Sequence, residues 1–225
     1  MTMAKRLVQG SMETSDHMRI ALTMRITDAP DFDEPRDAIA HDWVARLADW
    51  QAEPVLVPNG LLDPAGYMRR MAADVLIMTG GGDSGDGTSR DRTEAALLEW
   101  ALAENFPVLG VCRGMQVINR HFGGKDSPVE GHVACNHEVT FPSPPWREIY
   151  DEKARTNSFH GLAIPENGLG QGLVAAAVDA EGRIEAFHSA DKPVAGVMWH
   201  PERDGAPDAD GMLVQRLSAN KEPLS

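Results

Sequence analysis

Residues 107–124 read PVLGVCRGMQVINRHFGG, and the fold is decided in this stretch. Pro107 to Val111 is a short, continuous apolar run, the pattern of a strand buried on both faces in a parallel sheet. From Cys112 to Phe122 the spacing becomes helical, and Gly123-Gly124 stops it. Between strand and helix lies Gly110-Val111-Cys112-Arg113-Gly114, a G-x-nucleophile-x-G sequence in the context of a nucleophile elbow. Its glycines permit a sharp turn with close packing. Such a turn lifts the Cys112 side chain clear of the sheet and sets it at a helix N-terminus. There the helix dipole and free N–H groups favour a thiolate, and the Arg113 N–H becomes an oxyanion donor. The bland alternative is a buried structural cysteine at the end of a core strand.

Upstream, strand-like and helix-like stretches alternate. Arg19 to Ile26 reads as a first strand. Pro35 to Trp50 reads as an amphipathic helix with Ile39, Trp43, Val44, Leu47 and Trp50 near a 3.6 period, Trp43 and Trp50 being core residues. Pro54 to Val57 is a second strand and Leu62 to Ala72 a second helix, started by Asp63-Pro64. Ala73 to Met78 is a third strand that runs into Gly80-Gly81-Gly82, and Asp91 to Asn105 a third helix. This alternation implies an α/β fold, a doubly wound, mostly parallel sheet of flavodoxin-like type. Val129 to Ile184 is richer in Pro and Gly. Its strand candidates at 138–141, 172–178 and 183–188 are expected as antiparallel additions at a sheet edge. Val194 to Met198 returns as an apolar strand that ends at Trp199-His200-Pro201-Glu202.

At 225 residues the chain fits one domain, taken as 18–225, with residues 1–17 a tail or leader. They contain no apolar h-region. A net charge of −13 argues against a nucleic-acid partner, which rewards clustered Lys and Arg. No apolar run approaches the roughly 20 residues of a membrane span. Two cysteines, Cys112 and Cys135, make no disulfide framework, so a cytoplasmic compartment is the expectation. Oligomeric state is not legible, and a homodimer is compatible with the sequence.

A cysteine nucleophile needs a base, and the base an orienter. His200 follows an apolar strand and should share the carboxyl edge of the sheet with Cys112, where open α/β sheets place their ligands. Glu202 can accept from the other imidazole nitrogen. Thr79-Gly80-Gly81-Gly82-Asp83 ends another core strand and offers a second set of oxyanion N–H groups. It could also be a flexible loop or a phosphate cradle, but no P-loop or dinucleotide pattern follows it.

These three blocks, LIMTGGGD, GVCRGMQ and GVMWHPE, resemble in order the signatures of the class I glutamine amidotransferase superfamily. The resemblance spans Met18 to the C-terminus. It implies a Cys112–His200–Glu202 triad, Gln116 holding the glutamyl group, and oxyanion N–H groups from the Gly81/Gly82 region and Arg113. GVCRGMQVINRHFGG is similar to the free-standing γ-glutamyl hydrolase branch, such as the γ-glutamyl-γ-aminobutyrate hydrolases. That branch usually carries a Ser-x-His-His segment where this chain has Asn157-Ser158-Phe159-His160-Gly161. EPRDAIAHDW, NSFHG and MWHPER are more similar to γ-glutamyl-CDP-amidate hydrolases found with capsule genes. The implied reaction releases glutamate from a γ-glutamyl amide, nucleotide-linked or simple, and needs no cofactor. A glutaminase subunit serving a partner synthase and a non-catalytic binding protein are the other classes this fold allows.

Further residues are candidates by position. Arg25, Glu34 and Arg36 follow strand one, either as solvated charge or as contacts to a substrate phosphate or carboxylate. Arg25 and Arg36, with Arg113, offer the local cations that an anionic leaving group would need. Ser158 and His160 are either substrate contacts or parts of a capped turn. His132, Cys135 and His137 look like metal ligands, but Cys-x-His has no second pair at zinc spacing, so structural or substrate-lining roles are expected and no metal is assigned.

Overall fold

The computed structural model describes residues 17–82, 87–142, 144–220 and 223–224. The expected tail, apart from His17, and Asp83 of the glycine block lie outside the described residues. In chain order the elements are β1 (Met18–Thr23), β2 (Arg25–Asp28), β3 (Pro35–Ala38), α1 (His41–Asp49), β4 (Ala52–Val57), α2 (Pro64–Met71), β5 (Val75–Met78), α3 (Ser89–Glu104), β6 (Val108–Val111) and α4 (Arg113–His121). There follow β7 (Ser127–Pro128), β8 (Val133–Thr140), α5 (Arg147–Tyr150), β9 (Lys153–Phe159), β10 (Leu162–Ala163), β11 (Leu173–Val178), β12 (Ile184–Ser189), β13 (Val194–Val197) and α6 (Asp210–Asn220).

Nine strands form one sheet in the order β4-β1-β5-β6-β13-β12-β11-β8-β9. The first five pair in parallel and the last four join antiparallel. This is the expected parallel core with an antiparallel edge. The parallel strands are buried on both faces because successive side chains point opposite ways. Ile20, Leu22, Val75, Ile77, Leu109 and Val111 pack into one apolar layer with Trp43, Leu47 and Leu213. Ala21, Leu76, Met78 and Val108 enter the other with Leu97, Leu98, Met115 and Ile118.

Local chemistry sets the helix starts. The Asp63 side chain accepts from Gly66 N at 2.7 Å with Pro64 in the first turn. Thr88 and Asp91 form a reciprocal capping box at the head of α3, satisfying two donors that the helix leaves open.

Three expectations need correction. The first strand stops at Thr23, and the helix expected from Pro35 begins at His41. Between them β2 and β3 form a separate antiparallel hairpin, with Thr27 opposite Arg36. The buried positions of the helical pattern are Trp43 and Leu47, so nothing apolar holds 35–38 to a helix, and Asn59 ties the hairpin down through Asp37 (2.6 Å) and Met24 O (2.9 Å). The third is Trp50, which stands half-buried at the C-cap of α1, whereas Trp43 is fully in the core. Strand β9 and helix α6 were not anticipated.

Candidate active site

β6 and β13 are neighbours running in the same direction, with Val111 beside Val197. The residues that follow them, Cys112 and His200, therefore leave the same sheet edge side by side. Cys112 is the N-cap of α4 with φ 50° and ψ −105°, a left-handed-side conformation that an L-residue adopts at a cost of order 1–3 kcal/mol. Both glycines of the elbow are sterically required. A Cβ on Gly114 would lie 2.0 Å from Met78 O, and one on Gly110 would lie 2.6 Å from Ile118 Cδ1 and 2.7 Å from Met115 N.

His200 is held from several directions. Its Nδ1 meets Glu202 Oε1 at 2.8 Å. Both residues are buried, and Glu202 can only accept, so Nδ1 carries the proton and Nε2 is left for the thiol. Burial works against charge on the ring, yet hydrogen bonding and charge from Cys112 and Glu202 outweigh it and raise the His200 pKa to about 9. Nε2 has no partner in hydrogen-bond geometry, though Cys112 is close enough to shift it; ligand-free catalytic contacts are often loose. Preceding it, Trp199 Nε1 bonds Asp210 Oδ1 at 3.1 Å, and Tyr150 OH donates to the same oxygen at 2.6 Å.

Asn157 is the residue that sequence reasoning missed. Its Oδ1 accepts from His200 N at 2.8 Å, while its Nδ2 donates to the carbonyls of His200 (2.9 Å), Asp204 (3.1 Å) and Arg203 (3.3 Å). One amide side chain thus fixes the entire turn that carries His200 and Glu202. Ser158, its neighbour, points the other way. It is fully buried and donates to His132 O at 2.7 Å, so the expected substrate contact is corrected to a structural one.

The glycine block packs against the same centre. A Cβ on Gly80 would stand 2.6 Å from His200 Cε1 and 3.4 Å from Cys112 Cβ. Arg90, also not foreseen, takes the carbonyls of Thr79 (2.6 Å) and Gly81 (2.5 Å) and reaches that of Gly80 at 3.4 Å. In a trans peptide the N–H opposes the C=O, so the N–H groups of Gly80, Gly81 and Gly82 are turned away from Arg90. Burial lowers the Arg90 pKa, and the Glu94 carboxylate opposes that shift. Glu94 accepts from Arg90 Nε at 2.9 Å, from Thr23 Oγ1 at 2.8 Å and from Arg113 Nη1. Arg113 also bonds Asp91 at 2.6 Å. Its guanidinium is committed to this network, so the expectation that it offers a cation to substrate is corrected; only its backbone N–H remains for that purpose. The spacing Arg90-x-x-x-Glu94 was the available sequence signal.

A cavity of about 490 Å³ opens over Cys112 and His200, with Gly81, Gly82, Gln116, Phe159, His160 and Arg203 in its wall. Gln116 Nε2 donates to Leu162 O at 3.2 Å. Burial, reinforced by the charge of His132, lowers the His160 pKa to about 4, so this wall is neutral there. Arg203 lies over the Phe159 ring, 4.3 Å from its centroid. The Arg25 guanidinium stands against Gly81. Arg36 is exposed, paired with Glu34 at 2.6 Å and set over Phe32; it does not line the cavity, which corrects its proposed role. No helix among the described residues is long and apolar enough to cross a membrane.

An elbow cysteine beside a carboxylate-bound histidine, at the carboxyl edge of such a sheet, is an arrangement suited to attack on a carbonyl carbon. Comparison with known proteins agrees. The peptidase C26 family model matches residues 20–202, and the chain belongs to that family, within the class I glutamine amidotransferase group. It is 32% identical over 214 residues to the γ-glutamyl-CDP-amidate hydrolase of Campylobacter jejuni, covering 91% of this chain and all of that one. Its fold is shared with a glutamine amidotransferase from Thermotoga maritima (TM-score 0.61, 15% identity, 83% and 76% of the two chains). It is shared equally with one from Methylobacillus flagellatus (TM-score 0.61, 16% identity, 83% and 71%).

Proposed function

We propose that this protein is a free-standing cysteine hydrolase of γ-glutamyl amides, and that its substrate is a nucleotide-linked glutamine of the γ-glutamyl-CDP-amidate kind. The observation that carries the reading is the convergence of Cys112 and the Glu202-held His200 at adjacent strand ends beneath a single cavity. The Cys112 thiolate attacks the γ-carbonyl carbon. The resulting oxyanion is met by the Arg113 N–H and by those of Gly81 and Gly82, which Arg90 turns outward. His200 passes its proton to the leaving nitrogen as the C–N bond breaks, leaving a glutamyl thioester. The neutral imidazole then takes a proton from water, hydroxide adds to the thioester, and glutamate departs with the thiol restored. Gln116 borders the glutamyl group.

The nucleotide part of the reading rests on the wall beyond the triad. The cavity lies within the roughly 300–1,000 Å³ span of sites that enclose drug-sized ligands. Arg203 in the wall, 3.8 Å from Glu202, and Arg25 behind Gly81 just outside it supply cations for a pyrophosphate in a chain whose net charge of −13 repels anions, and Phe159 offers a ring face. Support also comes from the likeness to the Campylobacter jejuni hydrolase along the whole of that chain. The test is glutamate release by the purified chain from CDP-linked glutamine, γ-glutamyl anilide and γ-glutamyl-γ-aminobutyrate. Turnover should favour the CDP-linked amide and vanish in Cys112→Ala, while Cys135→Ser stays active. Preference for the simple amine substrate would reassign the protein to the catabolic branch. A Cys112→Ala variant that still turns over would end the cysteine mechanism.

A further inference from the structure

Behind the cavity wall, five buried polar atoms with no hydrogen-bond partner lie on three strands and the β9–β10 corner: His137 Nε2, Thr156 Oγ1, His160 Nε2 and both carboxylate oxygens of Glu185. Glu185 and His160 are each only 1% exposed at the side chain. His160 Nδ1 lies 2.9 Å from the Leu162 carbonyl. That oxygen can only accept, so Nδ1 bears the hydrogen and Nε2 presents a bare lone pair. It faces Glu185 Oε1, also a lone-pair atom, at 3.6 Å. On the other side His137 Nε2 stands 3.4 Å from Glu185 Oε2. The 3.6 Å gap is too long for a hydrogen bond, and the 3.4 Å one is at most a weak one. They match two donors on one tetrahedral ion, where bonds of about 2.0–2.1 Å set ligand atoms roughly 3.4 Å apart.

His132 completes the ring. One donor atom from each of His132, His160 and Glu185 lies within 4.8 Å of the others, and the His132 ring centroid is 4.9 Å from those of His137 and His160. Arg183 pairs with Asp179 at 2.6 Å and its Nη2 donates to His132 Nε2 at 2.8 Å, a contact that a bound ion would displace, while His137 is the nearest compensating partner of Glu185. Neither oxygen of this buried carboxylate makes a hydrogen bond within the described residues, which is costly. Imidazole-rich donor sets with a single carboxylate suit zinc and its neighbours, and a ring N–H anchored to a backbone carbonyl, as in His160, is the usual support of a ligating histidine.

We propose that Glu185, His160 and His132, with His137 beside them, bind one divalent transition-metal ion of the zinc class. The ion would tie the start of β8, β12 and the β9–β10 corner together directly behind His160, and so brace that part of the cavity wall. The sequence reading set aside His132, Cys135 and His137 for want of a second pair. The structure supplies that pair from His160 and Glu185 and leaves Cys135 out, its Sγ meeting Gly131 O at 3.1 Å.

The test strips the full chain with a chelator and titrates it with Zn²⁺ and, separately, Co²⁺. The wild type should bind one equivalent per chain, with a visible ligand-field band for cobalt and a raised melting temperature for zinc. Glu185→Gln and His160→Gln should each lose roughly 100-fold or more in affinity. His132→Gln gives the same reading if those two variants fail to fold. Cys112→Ser should bind as the wild type does, which separates this site from the thiol and His200. The proposal is overturned if the wild type takes up no stoichiometric metal, if the histidine and glutamate variants all bind normally, or if binding is lost with Cys112→Ser.

Discussion

Replacing Asn157 by alanine removes four hydrogen bonds from the turn that holds His200 and Glu202. Two Nδ2 hydrogens shared among three carbonyls and one accepted N–H, at about 1 kcal/mol each, put the loss at roughly 2–4 kcal/mol, the upper end reflecting the His200 N–H left buried without an acceptor. That is a large share of the 5–15 kcal/mol typical of a domain, yet it leaves a folded protein at 25 °C. The kinetic effect should be distinct. Asn157 is buried and does not line the cavity, so substrate binding has no direct reason to weaken. His200 would instead lose the backbone anchor that sets its ring against Cys112, and a displacement on the order of 1 Å costs about 100-fold in rate. Urea unfolding gives the first quantity, and steady-state kinetics on γ-glutamyl anilide give the second. The expected pattern is a fall in kcat with KM nearly constant. Lost stability with an unchanged kcat would refute the reasoning, because Asn157 would then support the fold without positioning the base.

Gly114→Ala should unfold the chain or yield insoluble protein, since the added carbon collides with the Met78 carbonyl backbone at 2.0 Å; a soluble, active variant would mean the elbow can move. Arg203→Ala and Arg25→Ala should lower kcat/KM on the CDP-linked substrate by roughly tenfold or more through KM, with a smaller effect on the anilide, whereas Arg36→Ala should match the wild type on both; equal losses on both substrates would place these arginines on the glutamyl carboxylate. The pKa of His200 is raised from 6.5 to about 9, so the stabilisation it contributes is fully present below pH 6.5 and lost as pH rises through 9. It amounts to roughly 3 kcal/mol at most. Urea midpoints across that window should decline in the wild type more than in His200→Gln, and parallel curves would show that the charged ring has no such partners.

What was legible in the sequence was local. The elbow declares itself because glycines two residues to either side of a cysteine are demanded by contacts within the elbow and with the adjacent strand, and His-Pro-Glu because orienter and base are two residues apart. The parallel core was legible because strands buried on both faces cannot hide polar residues, as β5 and β6 show. What was not legible depends on which distant strand folds back against the site. Asn157 sits 43 residues before His200 in the chain, on a strand that was not anticipated, and only the antiparallel return of β8 and β9 brings it to the turn. Its neighbour Ser158 attracted the functional reading instead, although alternation along a strand sends the two side chains to opposite faces. The same geometry explains Glu185. As one letter in an apolar run it has no motif, and its position on β12 opposite two imidazoles from β8 and the β9–β10 corner is a property of sheet order. Helix periodicity misled at 35–38 for a related reason, since a 3.6 spacing that begins in earnest at Trp43 says nothing about residues one turn and more before it. In this chain the reacting groups follow from short patterns, while the groups that aim them are supplied by topology.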